Sequence, residues 1–324
     1  MNLLVLHAGA LGDCVLAIQT ARIVASAIHA DRVEMVARSG IARWAAGRGL
    51  LQAAHSMESS YGRGLFEQQD DEHSVFAEFL RSFDHILSFL GGMNDPISTR
   101  LVSSSGKQVW AIDPRVREAT QVAGGHITEQ WLSDLAVQGC HVSRGSPPDD
   151  SIKPTSPAEF ARCRDLFLLK AESRQDRSRV YLIHPGGGGR WKCLPLIVME
   201  RLLKSLCSSE AHVAWIIGPD EWERDGPDFV HRLERTAPVI YEESIEPAAD
   251  ILSAADLYIG HDAGMTHVAA LAGVPTIALF GPTDRRVWKP MGGCCDVAFF
   301  PSLKEPMDSW IENMANLAAS KARR

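Results

Sequence analysis

Neither half of this 324-residue chain contains G-x-G-x-x-G, and G-x-x-x-x-G-K-[ST] occurs nowhere in it. The first absence leaves a dinucleotide-binding fingerprint without support, and the second excludes a Walker A loop. Positive charge is not in excess: 33 Lys and Arg stand against 40 Asp and Glu, for a net charge of −7. Nucleic-acid-binding modules are usually basic, so no nucleic-acid partner is expected. Seven cysteines form no C-x-x-C pair, and the adjacent Cys294 and Cys295 would need strain to bridge each other. An odd count without a framework suggests reduced thiols and a cytoplasmic setting. Met1 runs straight into "LLVLHAGALG" with no basic segment before it, which fits neither a signal peptide nor a transmembrane span. Internal repeats and low-complexity segments are also lacking.

What is present is an ordinary globular composition, 45% apolar, enough for a sizeable core in about two domains. Short apolar runs at 3–8, 32–37, 85–90 and 108–113 read as strands. Helical patterns separate them, among them 13–28, "HSVFAEFLRSF" and "ITEQWLSDLAVQG". "SRGSPPDDSIKPTSP" (143–157) breaks the pattern and reads as an interdomain linker. The grammar then repeats, with strands at 179–186, 211–219, 238–242, 256–261 and 275–281. Continuous rather than alternating apolar strands indicate parallel sheets covered on both faces. The expected architecture is α/β: two doubly wound, Rossmann-like units in tandem, with ligands at the carboxyl ends of the strands and a cleft between the pair. The last stretch, 309–324, sets Trp310, Ile311, Met314, Leu317 and Ala318 on one helical face that must dock somewhere.

Five loops carry chemistry-bearing residues. In "HAGALGD" (7–13), Gly9 and Gly12 permit close backbone approach, and Asp13 sits where a helix begins. It reads either as an N-cap or as a base at the mouth of the cleft. A helix N-terminus lowers a carboxylate's pKa and weakens it as a base. Such a group still accepts a proton late, once bond formation has made the attacking oxygen acidic. "HPGGGGRWKCLP" (184–195) places four consecutive glycines, Gly186 to Gly189, between a strand and a helix, with Arg190 and Lys192 beside them. Backbone amides turned toward an anion, a helix dipole and two cations suit a phosphate or diphosphate; a flexible turn with surface cations is the plain alternative. In "IIGPDEWE" (216–223), Asp220 and Glu221 are either acceptors for ribose or sugar hydroxyls or solvated turn carboxylates.

"HDAGMTH" (261–267) holds two histidines, but six positions apart and across a strand–helix break, so a metal site is not expected. A helix N-terminus favouring anions fits better, with Asp262 at the turn, Gly264 allowing close approach and His267 in the first turn. His261 reads only as the residue that ends the strand. In "ALFGPTDRRVW" (278–288), Gly281, Pro282 and Thr283 form a rigid turn, either plain or bordering a nucleotide.

Taken in order, "LGD" (11–13), "HPGGGGRWKCLP", "IIGPDE" (216–221), "HDAGMTHVAALAGVPTIALFGPT" (261–283) and the closing helix resemble glycosyltransferase family 9, the ADP-heptose:lipopolysaccharide heptosyltransferases. The resemblance implies a GT-B architecture: an acceptor domain at 1–150, a donor domain at 151–305, and a helix at 306–324 crossing back onto the first domain. It implies inverting transfer from ADP-heptose or another NDP-sugar, with no cofactor and no obligatory metal, and Asp13 as general base. Gly187, Gly188, Gly189, Lys192, Asp262, Gly264, Met265, Thr266 and His267 would hold the sugar diphosphate. Asp220, Glu221, Gly281, Pro282 and Thr283 would hold the nucleotide. His7, Gly12 and Arg63 would meet an anionic glycolipid acceptor, with Arg38, Arg43 and Arg48 as further surface cations. Such an acceptor implies a cytoplasmic protein with peripheral contact at the inner membrane. Family members often carry Lys where His7 stands and Pro where Gln19 stands; His7 is expected to be only partly charged at neutral pH. A GT-B epimerase and a non-catalytic module binding nucleotide-sugars or anionic lipid are the competing readings; a dehydrogenase fits least.

Overall fold

The computed structural model describes residues 1–38, 40–66, 74–142, 158, 161–165, 179–207, 211–301 and 306–322. The chain divides into two compact units, Met1–Pro154 and Thr155–Arg324. The linker expected at 143–157 lies outside the described residues.

The first unit is a parallel sheet of β1 (Asn2–His7), β2 (Arg32–Ala37), β3 (Ala53–Ser56), β4 (His85–Ser88) and β5 (Gln108–Ala111), in the order β3-β2-β1-β4-β5. Its helices are α1 (Leu11–Ala27), α2 (Ile41–Gly47), α3 (Ser60–Arg63), α4 (Val75–Arg81), α5 (Pro96–Ser105), α6 (Glu118–Ala123) and α7 (Ile127–Val137). Local signals set their ends. In α5 the Asp95 side chain accepts from the Ile97 N–H, Pro96 occupies the first turn, and Gly106 closes the helix at φ 64°. Gln19 lies buried within an unbroken α1.

The second unit is a parallel sheet of β6 (Arg179–His184), β7 (Ala211–Ile217), β8 (Val239–Tyr241), β9 (Leu257–His261), β10 (Thr276–Phe280) and β11 (Cys295–Phe299), in the order β11-β10-β9-β6-β7-β8. Its helices are α8 (Leu196–Leu206), α9 (Pro219–Glu234), α10 (Ile245–Ser253), α11 (Gly264–Leu271), α12 (Arg285–Trp288) and α13 (Met307–Lys321). Central strands such as β9 are buried along their whole length, which is why they read as continuous apolar runs. In each sheet the strand order reverses beside the first strand, between β1 and β4 and between β6 and β9. Doubly wound sheets bind ligands outside the carboxyl ends of the strands at such points.

Two features differ from the expectation. β3 ("AAHS") and β11 ("CDVAF") did not stand out in the sequence; both are half-buried edge strands with one neighbour, so their apolar signal is diluted. The helix expected from 266 begins at Gly264, two residues nearer the strand. The apolar face of α13 packs within the second unit. Trp310, Ile311, Met314 and Ala318 join the core that α8 supplies with Met199, Leu202 and Leu203. The Trp310 indole donates to the Phe299 carbonyl at 2.8 Å. No helix among the described residues is long and apolar enough to cross a membrane.

Candidate functional site

β6 and β9 are neighbours in register, His184 opposite Gly260, so the loops that leave them emerge side by side. One is the glycine loop and the other is the turn at 262–264. The glycine loop is tied down from several directions. His261, wholly buried at the end of β9, places Nδ1 3.2 Å from the Gly186 carbonyl. Its Nε2 accepts from the Leu194 N–H at 3.0 Å. Arg224 donates to the Gly187 carbonyl at 2.8 Å, and Arg190 pairs with Asp225 on α9. The glycine at 186 is required by close approach: a Cβ there would meet the Glu221 carboxylate at 1.9 Å. Gly187 is buried, Gly188 is exposed and Gly189 is half-buried at the start of a short 3-10 turn, Arg190–Lys192.

That turn carries Lys192 to Asp262, Nζ to Oδ2 3.2 Å. Asp262 immediately precedes Ala263, which caps α11 with no side-chain acceptor. The first amides of α11, at Gly264 and Met265, therefore face outward beside the Lys192 ammonium, an arrangement that favours an anion. Met265 is half-buried. Thr266 is wholly buried and its hydroxyl is bound to the His261 carbonyl, so its role is to fasten the strand–helix junction. His267 is buried in the first turn of α11. Both nitrogens of His261 are committed to the glycine loop. Among the described residues no group of three or more His, Cys, Asp or Glu is placed to hold a metal ion.

The remaining nucleotide candidates separate. Asp220 is exposed in the first turn of α9. Glu221 is buried, accepting from the Gly218 N–H at 3.1 Å with His184 Nε2 at 3.4 Å. Burial alone would raise its pKa; the hydrogen bond and charge of His184, the Gly218 amide and Arg224 outweigh it and hold the carboxyl at about 2. Glu221 is thus an ionised support under Gly186 and the cap of α9, not a solvated turn carboxylate. Gly281 and Pro282 are exposed and Thr283 is half-buried in the turn after β10. Gly281 again reflects close approach, since a Cβ would meet the Phe300 ring at 2.2 Å. Phe300 in turn stands edge-on to His261, ring centroids 5.7 Å apart. Trp191, 65% exposed, projects from the glycine loop with its ring 5.5 Å from Lys192 Nζ.

In the first unit, Ala10 is the N-cap of α1, so Asp13 is the third residue of the helix and not its cap. His7 ends β1 and is wholly buried, edge-on to Phe89 at 6.0 Å. Burial pushes its pKa down to about 4, so it is neutral at neutral pH rather than partly charged. Both His7 and Asp13 flank Gly9, where a Cβ would lie 3.2 Å from His7 Nε2 and 3.6 Å from Asp13 Oδ2. Gly12 lies between them in the first turn of α1. Arg38, Arg43 and Arg63 are exposed, whereas Arg48 is buried with its guanidinium over Trp44.

A model of glycosyltransferase family 9 (heptosyltransferase) matches residues 144–298. Lipopolysaccharide heptosyltransferase 3 of Escherichia coli is 25% identical over 174 residues, 52% of this chain and 48% of that protein. The match thus spans about half the length of that relative. The solved glycosyl transferase family 9 protein of Veillonella parvula superposes with a TM-score of 0.69 at 13% identity, over 99% of this chain and 96% of that one. E. coli heptosyltransferase WaaC with ADP superposes with a TM-score of 0.63 at 18% identity, over 99% and 100%. At those identities the structural likeness establishes the fold alone, two parallel α/β units of GT-B type. The family match therefore falls on residues 144–298, mostly in the second unit, while the GT-B fold extends over nearly the whole chain.

Proposed function

We propose that this protein is an inverting, metal-independent glycosyltransferase that moves a heptose-like sugar from ADP-heptose or a related NDP-sugar to an anionic glycolipid of the lipopolysaccharide-core type. The observation that carries the reading is the meeting, at the β6–β9 switch point, of the glycine loop, Lys192 and the open N-terminus of α11. Donor-type chemistry is supported by what the relatives are: a lipopolysaccharide heptosyltransferase and a heptosyltransferase with ADP bound.

In the proposed step the acceptor hydroxyl attacks the anomeric carbon from the face opposite the diphosphate. The new C–O bond forms as the bond to the diphosphate breaks, and that electron pair leaves on the nucleoside diphosphate. The hydroxyl proton passes to the Asp13 carboxylate, whose low basicity at a helix N-terminus suits a late transfer. Negative charge grows on the leaving diphosphate, and the Lys192 ammonium and the α11 amides are placed in advance to meet it. Asp220 and the 281–283 turn are assigned to the nucleoside. Arg63, exposed at the end of α3, is assigned with Gly12 to the acceptor; neutral, buried His7 shapes the floor beneath Gly9. An anionic glycolipid would draw the protein to the inner face of the cytoplasmic membrane.

The test is incubation with ADP-heptose and a Kdo-lipid acceptor, followed by ADP release and product mass. Release of ADP only when acceptor is present supports transfer. Tight ADP binding without turnover on any NDP-sugar and acceptor pair would favour a binding module, and a changed sugar nucleotide without acceptor would favour an epimerase.

A further inference from the structure

The glycine loop presents its amides in a direction that two side chains outside the loop decide. Every described peptide bond is trans, so the carbonyl of one residue and the N–H of the next point opposite ways. The Gly186 carbonyl is drawn inward to His261 Nδ1 at 3.2 Å, which turns the Gly187 N–H away from the interior. The Gly187 carbonyl is drawn to Arg224 Nη1 at 2.8 Å, which turns the Gly188 N–H to the opposite side. Among the described residues no group accepts from either N–H. His261 also accepts the Leu194 N–H at 3.0 Å, so one buried ring fastens both ends of the segment that carries Lys192.

One tautomer of neutral imidazole, with the proton on Nδ1, satisfies both bonds at once. A protonated ring would lose the bond from Leu194, and a ring with its proton on Nε2 would lose both. Burial, with the ring held at a pKa of about 4, keeps the ring neutral through the neutral range. The Phe300 ring edge-on to it and the wholly buried strand around it leave the ring no alternative partner in water.

We infer that His261 and Arg224 are positioning residues which aim the Gly187 and Gly188 amides at the diphosphate of the donor, without touching the donor themselves. The inference rests on the donor-site reading above and deepens it. It gives His261 a task that its place at a strand end did not suggest.

The test is calorimetric titration of the full chain with ADP and, separately, with adenosine, which lacks the phosphates. His261→Ala and Arg224→Ala should each weaken ADP about tenfold, the size of one well-placed hydrogen bond, and leave adenosine unchanged. His261→Asn keeps a donor near the Nδ1 position and should recover most of the ADP affinity; His261→Gln, which mimics only Nε2, should not. Arg224 is partly exposed, so its variant reports even where the buried histidine variant does not fold. ADP affinity unchanged in both alanine variants would overturn the inference, as would parallel losses for ADP and adenosine, which mark a purely structural role. Wild-type protein that binds none of ADP, UDP, GDP or inorganic pyrophosphate would instead sink the donor-site reading, and the inference with it.

Discussion

Lys192 Nζ lies 3.2 Å from Asp262 Oδ2, though the two residues are 70 positions apart in the chain. The aspartate is almost wholly buried and the ammonium about a third exposed, so the carboxylate is the fixed partner and the lysine the held one. Lys192→Met should weaken ADP binding about tenfold or more, as expected for loss of a charge-assisted hydrogen bond. Asp262→Asn should weaken it less, by leaving the lysine present but unheld. The double variant should bind like Lys192→Met alone, because Asp262 acts through the lysine; strictly additive losses would show two independent roles.

Asp13 stands in the first turn of α1 and is assigned the acceptor's proton. Asp13→Ala should lower turnover roughly 10²–10⁴-fold, the usual worth of a positioned base. The ADP dissociation constant, set by the second unit, should move little. Near-normal turnover in that variant would reduce Asp13 to a contributor to helix stability.

Two buried imidazoles and one buried carboxylate contribute to the acid limb of stability. His7 and His261 are held near 4 in the folded chain against an ordinary value of 6.5. Between those values the unfolded chain takes up protons that the folded chain refuses, so this stability is complete above pH 6.5 and is lost as pH falls toward 4. Each ring accounts for on the order of 3 kcal/mol. Glu221, held at about 2 against 4.5, adds stability that is present above pH 4.5 and lost as pH falls toward 2. Urea denaturation at pH 7, 6 and 5 should show falling stability, and His7→Gln should flatten the part that belongs to the first unit. A pH-independent midpoint over that range would contradict the buried neutral rings.

Trp191 reports on the glycine loop, since its exposed ring sits 5.5 Å from the Lys192 ammonium. Added ADP should change the tryptophan emission, and Trp191→Phe should remove most of that change while the calorimetric affinity stays close to wild type. An unaltered change in the variant would place the signal on another indole.

Trp310 closes the second core from α13 and bonds the end of β11 through its indole N–H. Trp310→Ala should destabilise the second unit by about 3–5 kcal/mol, the usual cost of emptying a buried aromatic position. The melting transition of the first unit should be unchanged; a shift in both would mean that the helix supports more than its own unit.

Much of the site was legible because its signals are local. "HPGGGGRWK" and "DAGMTH" each follow a continuous apolar strand and open a helix, so both could be read as anion-facing turns from spacing alone. Asp13 was equally visible as a carboxylate at a helix start. What was not legible depends on partners far away in the chain. His261 acts on residues 75 and 67 positions earlier. Glu221 is a buried support because β6 lies beside β7 and brings Gly186 and His184 against it. The one available sign for His261 was a polar ring at the end of a wholly apolar strand, which demands buried partners. For Glu221 it was the third position of a helix opening on Gly-Pro, a capping pattern.

By itself, the sequence determined two parallel α/β units and the identity of the loops, because strand runs, glycine turns and helix starts are written within a few residues of one another. Tertiary structure decided which loops meet, which carboxylate faces water, where the last helix docks and which way the loop amides point. Those outcomes depend on strand order and on long-range hydrogen bonds. Neither leaves a periodic trace in the chain: a parallel sheet places strands side by side that are separated by whole helices.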